Sequence, residues 1–195
     1  MAQELLMNCT PQETRVAVVE NGVLQEVAIE RDGHRGIVGN IYKGRVQRVL
    51  PGMQAAFVDI GLARTAFLHA SDVAVAPDTE TGETRLRRPV PDVRELLHDG
   101  QEVVVQVLKD PMGSKGARLT THLTVPSRYL VLMPRTRNLG VSGRIEDAGE
   151  RERLRLIGQR FLDEGDSGGY IIRTAAEGAS EAALEADRRF LCKLW

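Results

Sequence analysis

The sequence predicts an α+β protein: a small closed barrel of five strands, with a short run of strands before it and a mixed α/β region after it. Three observations carry this. Apolar residues recur at every second position through much of residues 39–125, as strands with one buried face require. Asn21-Gly22 and Pro51-Gly52 fall between such runs, where the chain must reverse. After Pro126 the period changes, and Leu154, Ile157 and Phe161 recur at helical spacing with Arg and Glu between them.

In order along the chain, "ELLMNC" and "TRVAVVENGVLQEVAIER" read as strands, the second folded into a hairpin at Asn21-Gly22. This opening unit, residues 1–36, is too small to stand alone and must pack on something else. From residue 37 to residue 125 the five barrel strands follow. "NIYKGRVQRVL" places Lys43, Arg45 and Gln47 on one face and Tyr42, Gly44 and Val46 on the other. The stretch "MQAAFVDIGLARTAFLHASD" gives the second and third strands, and "QEVVVQVLKD" and "ARLTTHLTV" the fourth and fifth. A connection rich in Pro, Gly and charge, residues 74–98, is inserted before the fourth, with a short helix over "PDVRELLHD". Five strands with one long insertion suit a barrel of the oligonucleotide-binding type. In residues 126–195, "SRYLVLMP", "NLGVSGRIED" and "GGYIIRTAAEG" supply strands and turns. "GERERLRLIGQRFLDEG" and "SEAALEADRRFLCKLW" supply helices, the latter capped by Ser180. That last helix runs to Trp195 with no stop signal, so the sequence is expected to be the front of a longer protein.

Composition narrows the function classes. The 195 residues are 42% hydrophobic with a net charge of −1, so any site for a polyanion must be local. Cys9 and Cys192 are too few and too far apart for a disulfide framework or a metal knuckle, and they fit a reducing compartment. There is no signal-peptide pattern and no run of about 20 apolar residues, so the expected location is cytoplasmic. His34, His69, His98 and His122 lack ligand spacing, and no metal site is expected in this chain. "GDSGG", around Ser167, matches the nucleophile sequence of trypsin-like proteases, but no His and Asp accompany it in the required order and context. It reads as a helix end at Gly165 followed by a loop.

The informative anomaly is a pair of rings. Strand alternation puts Ala56, Val58 and Ile60 on one face with Ala66, Leu68 and Ala70, leaving Phe57 and Phe67 beside Asp59, Thr65 and His69. A second small core under the insertion would explain two aromatics there. So would a stacking platform for unpaired bases, each worth about 1–3 kcal/mol. Lys43 and Arg45 on the neighbouring strand favour the platform. "GSKGARL" adds Lys115 in a flexible turn suited to phosphate, and Arg118 beyond it. "YIIRT" ends a strand with Arg173 and Thr174, which together offer a phosphate several donors. Arg135, Arg137 and Arg144 lie nearby in sequence, as an enlargement of a basic pocket or as solvated surface.

"NIYKGRVQRVLPGMQAAFVDIGLARTAFLHASD", "VLKDPMGSKGARLTT", "SRYLVLMP" and "IIRTAAEG" resemble the N-terminal region of the bacterial ribonuclease E/G family, across essentially all 195 residues. The resemblance implies an S1-type oligonucleotide-binding barrel inserted in an incomplete RNase-H-like subdomain, followed by a 5′-sensor domain. It assigns single-stranded RNA to Phe57, Phe67 and Lys115, beside which the strand pattern already places Lys43, Arg45, His69 and Arg118. It assigns a 5′-monophosphate to Arg173 and Thr174, with Val131 lining the pocket and Ser127 and Arg144 beside it. Ser127 stands where part of the family has Gly, and Gly143-Arg144 where some relatives have two arginines. The resemblance further implies an endoribonuclease whose cleavage, in RNA maturation and decay, belongs to a domain absent here. There two Asp residues bind Mg²⁺, and a Cys-containing segment binds Zn²⁺ and joins subunits of a homo-oligomer. A stand-alone, non-catalytic RNA-binding adaptor, or a protein-docking domain using the aromatic face, are the competing readings.

Overall fold

Asn21 and Gly22 turn the first hairpin with both residues at positive φ, 51° and 79°, the geometry that matches the twist of the flanking strands. A computed structural model of the chain describes residues 3–34, 36–74, 91–164 and 168–195. Most of the 74–98 insertion, and Gly165, Asp166 and Ser167 of the "GDSGG" stretch, lie outside the described residues. Contacts divide the chain into two units, Met1–Ile37 and Val38–Trp195.

The first unit is an antiparallel meander of β1 (Gln3–Cys9), β2 (Glu13–Glu20) and β3 (Val23–Arg31), with a bulge between Val18 and Val19. Leu5, Leu6, Met7, Val23, Leu24, Val27 and Ile29 are all exposed. Since alternate residues point to opposite faces, the unit presents apolar side chains on both.

The second unit begins with the barrel. β4 (Ile41–Leu50), β5 (Ala55–Asp59), β6 (Ala66–His69), β7 (Glu102–Lys109) and β8 (Arg118–Thr120) close in the order β4-β5-β6-β8-β7. Val46, Val58, Leu68, Val105, Val107 and Leu119 fill it and are almost fully buried. Gly44 is required on the inner face, because a Cβ there would lie 2.7 Å from Val58 Cγ1. Helix α1 (Val93–Leu96), capped by Asp92, is the short helix expected from "PDVRELLHD". The fifth strand is shorter than the sequence suggests. Within the barrel "ARLTTHLTV" pairs only from Arg118 through Thr120; then Thr121 donates its N–H to Asp72 O at 2.8 Å and the chain leaves the barrel. The side chain of buried Gln106 takes over, donating to Gly39 O and Thr124 O and accepting from Thr124 N–H. The amide thus makes the bonds a continuing strand would have made.

Beyond it, β9 (Val125–Pro126), β10 (Leu130–Met133), β11 (Leu139–Val141) and β12 (Gly169–Ile172) form a second sheet in the order β11-β12-β10-β9. Only the β11–β12 pair is parallel. Helices α2 (Ala148–Asp163) and α3 (Glu181–Leu194) cover one face. Leu154, Ile157 and Phe161 of α2 and Leu184 and Leu191 of α3 pack there with Leu130, Leu132, Tyr170 and Ile172. Gly158 lets α2 approach β11, since a Cβ would meet Leu139 Cδ1 at 2.5 Å. Among the described residues no helix is long and apolar enough to cross a membrane.

Candidate nucleic-acid interface

Phe57 and Phe67 lie on the outer face of the barrel, half-buried and register partners of each other across β5 and β6. Their ring centroids are 6.3 Å apart and the rings meet edge to face at 67°. The His69 ring follows, 6.4 Å from that of Phe67, its Nδ1 held by the Ser71 hydroxyl at 2.7 Å.

The cations arrange themselves differently from the sequence expectation. A bulge at Gln47 shifts β4 by one residue, so the register partner of Phe57 is Arg48, which alternation had placed on the inner face. On the other side, Arg118 is the partner of Phe67, and Lys109 is the partner of Arg118 after a second bulge at Leu108. The result is one continuous row across five strands: Arg48, Phe57, Phe67, Arg118, Lys109. Arg48 and Lys109 are the members of this row that the sequence pattern does not announce. No local pattern announces a bulge, so the signal was absent from the sequence.

Lys43 and Arg45 do share the outer face, but they are not free. Glu102 sits opposite Arg45, 2.7 Å from Lys43 Nζ and 3.6 Å from Arg45 Nη2. Hydrogen bonding to Lys43, and then the nearby charges, hold the Glu102 carboxyl below its ordinary range. Arg118 donates Nε and Nη2 to Asp72 Oδ2 at 3.1 and 2.9 Å. Among the described residues, Arg48, Lys109 and Lys115 have no carboxylate partner.

Lys115 stands at the end of a tight turn closed by reciprocal backbone bonds with Met112. Two features fix this turn beside the rings. Arg64 donates to Gly113 O, and Gly116 lies so close to Thr65 that a Cβ would be 1.9 Å from its carbonyl oxygen. Ala117 O then accepts from Phe67 N–H at 2.7 Å. Lys115 is therefore tied to the strand that carries Phe67.

A second cluster forms at the end of β12. Arg173 donates its backbone N–H to Tyr129 O at 2.8 Å and Nη1 to Ser127 O. Thr174 Oγ1 lies 2.9 Å from Ser142 Oγ, which also accepts from Arg144 N–H at 3.4 Å. Parallel pairing of β11 with β12 brings Ser142 here, with its N–H on Ile172 O. Long-range pairing of that kind leaves no mark in local sequence, and Ser142 was not anticipated. Val131 pairs with Ile171, and both point away from the helices. The Ser127 hydroxyl turns toward α3 and donates to Asp187 Oδ1 at 2.6 Å; its carbonyl faces Arg173. Arg137 serves a different purpose from the basic pocket considered for it. It donates to Leu162 O, satisfying a carbonyl at the end of α2.

The turn after Thr174 is anchored by Glu150, which accepts from Arg153 and from Gly178 N–H at 2.9 Å. Those two bonds, Arg153 first, pull the Glu150 carboxyl down to about 2. Among the described residues, no group of three or more His, Cys, Asp or Glu is placed to hold a metal ion.

Residues 36–121 match the family model of the S1 RNA binding domain, and residues 124–195 match that of the ribonuclease E/G family. Over all 195 residues the chain is 58% identical to ribonuclease G of Escherichia coli K12, covering 40% of that protein. It is 57% identical over 194 residues to ribonuclease G of Haemophilus influenzae, covering 39% of it. It is 40% identical over 197 residues to ribonuclease E of Escherichia coli K12, covering 18% of it. The chain thus spans about 40% of the length of the ribonuclease G relatives it matches.

Proposed function

We propose that this chain, which belongs to the ribonuclease E/G family, binds single-stranded RNA on its barrel and reads the RNA's 5′-monophosphate at Arg173. The observation that carries the first half is the row Arg48–Phe57–Phe67–Arg118, with two half-buried rings between two guanidinium groups. Rings offer a π-face that any unpaired base can cover, and flanking cations meet the backbone phosphates on either side. A duplex keeps its bases stacked inside, so the arrangement favours single strands.

The second half is supported by Arg173, Thr174 and the Ser142–Arg144 segment. Arg173 offers a guanidinium and Thr174 and Ser142 two adjacent hydroxyls, with the Arg144 backbone N–H on the Ser142 oxygen, donors of the kind a terminal phosphate needs. Val131 and Ile171 supply an apolar wall on the same side of the sheet.

On this reading the whole protein is a cytoplasmic endoribonuclease for single-stranded RNA. Hydrolysis belongs to the part of the relatives that the chain does not span. There the family resemblance implies a Mg²⁺-binding Asp pair and a zinc-binding link between subunits of a homo-oligomer. The apolar faces of β1–β3 support reading that sheet as one part of a larger RNase-H-like subdomain.

The test is a titration of one fluorescent single-stranded RNA carrying either a 5′-monophosphate or a 5′-hydroxyl. Tighter binding of the phosphorylated end, lost in Arg173→Ala, is expected. Equal affinities would remove the sensing half, and no binding of either would remove the whole reading.

A further inference from the structure

We infer that Asp187, on α3, is a positioning residue for recognition of the 5′-phosphate, an inference that rests on the 5′-sensing reading above. Its carboxylate takes three donors from the turn that joins β9 to β10 and from the first residue of β10. The Ser127 hydroxyl reaches Oδ1 at 2.6 Å, and the N–H groups of Tyr129 and Leu130 both reach Oδ2 at 2.9 Å. The same loop is closed on itself by Ser127 N–H donating to Leu130 O at 2.8 Å.

The opposite polarity of this loop is directed at Arg173. Ser127 O accepts from the guanidinium, and Tyr129 O accepts from the Arg173 N–H. Both hydrogen bonds that Arg173 donates therefore end on the backbone of a turn, three of whose own donors are gathered by one carboxylate. Hydrogen bonds to an ionised acceptor are the stronger kind, and peptide groups linked in series polarise one another. Asp187 is itself fixed, because Leu184 and Leu191 hold α3 in the core one turn before and after it.

This arrangement has a chemical consequence. Arg173 is oriented by a carbonyl rather than a carboxylate, so its positive charge is not neutralised by its anchor. Its remaining guanidinium N–H groups have no partner among the described residues. Placing the acid one step away, behind the loop, fixes the guanidinium and leaves its charge for the ligand. An acid in direct contact would have competed with phosphate for the same donors.

The experiment measures the affinity of the chain for one single-stranded RNA with a 5′-monophosphate and with a 5′-hydroxyl, in Asp187→Ala, Asp187→Asn and Ser127→Ala. Loss of a charged hydrogen-bond acceptor predicts that Asp187→Ala lowers the preference for the phosphorylated end at least about fivefold, toward that of Arg173→Ala. Binding of the 5′-hydroxyl RNA stays unchanged. Asp187→Asn, which keeps an acceptor oxygen, loses less, and Ser127→Ala loses a smaller part through the same loop. A merely structural defect would weaken both RNAs together, and that outcome, like an unchanged preference in Asp187→Ala, overturns the inference. Should Asp187→Ala fail to fold by circular dichroism, Ser127→Ala decides, and an unchanged preference there is equally fatal. A wild-type chain without any preference would sink the sensing reading itself. A wild-type preference that a folded Asp187→Ala leaves untouched would sink only the role of Asp187.

Discussion

Replacing Phe67 by alanine tests the barrel face most directly. Phe67 is the central ring, edge to face with Phe57 at 6.3 Å and 6.4 Å from His69, so it touches whatever lies on either side. A stacked base is worth about 1–3 kcal/mol, which converts to roughly a 5- to 150-fold loss of affinity for single-stranded RNA. The ring is half-buried on the outer face while the inner face, with Leu68 fully buried, is untouched. The stability lost is chiefly the aromatic pair, about 0.5–1.5 kcal/mol, so the variant remains folded. Fluorescence anisotropy with a 5′-hydroxyl oligoribonucleotide isolates the barrel from any contribution of the 5′ end. Phe57→Ala and the double variant complete a cycle. Losses that add imply separate bases on the two rings, and a double variant no worse than either single implies one base shared between them. Wild-type affinity in both single variants, with an unchanged circular-dichroism spectrum, would refute the platform.

Four further outcomes follow from the same structure. Arg48→Ala should flatten the salt dependence of single-stranded RNA binding by about 0.7 in the log–log slope, measured between low and moderate salt. Arg118→Ala should change it less, because Asp72 already neutralises that guanidinium. Gly116→Ala should weaken RNA binding and lower the melting temperature together, since its Cβ would lie 1.9 Å from Thr65 O and the Lys115 turn must move. Acid should destabilise the second sheet region: Glu150 and Glu185 are depressed from 4.5 to about 2, Glu185 chiefly by Arg188. Groups with folded values below their unfolded ones stabilise fully above about pH 4.5 and lose that contribution as pH falls toward 2. Melting temperature against pH should therefore drop over that window, and less so in Glu150→Gln.

What was legible in the sequence is what local periodicity encodes. The first four barrel strands and the start of the fifth, the hairpin at Asn21-Gly22, the helix through Leu154, Ile157 and Phe161, and the outward placement of Phe57 and Phe67 all follow from spacing and turn chemistry. Two classes of feature were not legible. Bulges at Gln47 and Leu108 cancel the alternation that the reading depends on, so Arg48 and Lys109 came to the ring row unannounced. Partners far apart in the chain form the other class. Glu102 against Lys43, Asp72 against Arg118, Ser142 against Thr174 and Asp187 against Ser127 are separated by at least 32 residues. No pattern in either segment names the other. The fifth strand failed for a related reason, because the Gln106 side chain substitutes for backbone pairing at Thr124.

These long-range pairs also bear on how the proposed RNA face could work in a chain of net charge −1. Had all of Lys43, Arg45, Arg48, Lys109, Lys115 and Arg118 been unpaired, the face would attract any polyanion, duplex or single strand, through its field alone. Instead Glu102 and Asp72 hold three of the six in exposed pairs of the kind worth at most about 1 kcal/mol each. Such pairs reduce the field at a distance, yet each is weak enough to be exchanged for a phosphate at contact. In the proposed complex, affinity would thereby rest less on charge, which every nucleic acid carries, than on the two rings, which only an unstacked base can cover. On the proposed reading these carboxylates favour single strands, and Glu102→Gln is expected to tighten duplex RNA binding more than single-stranded RNA binding in an anisotropy titration.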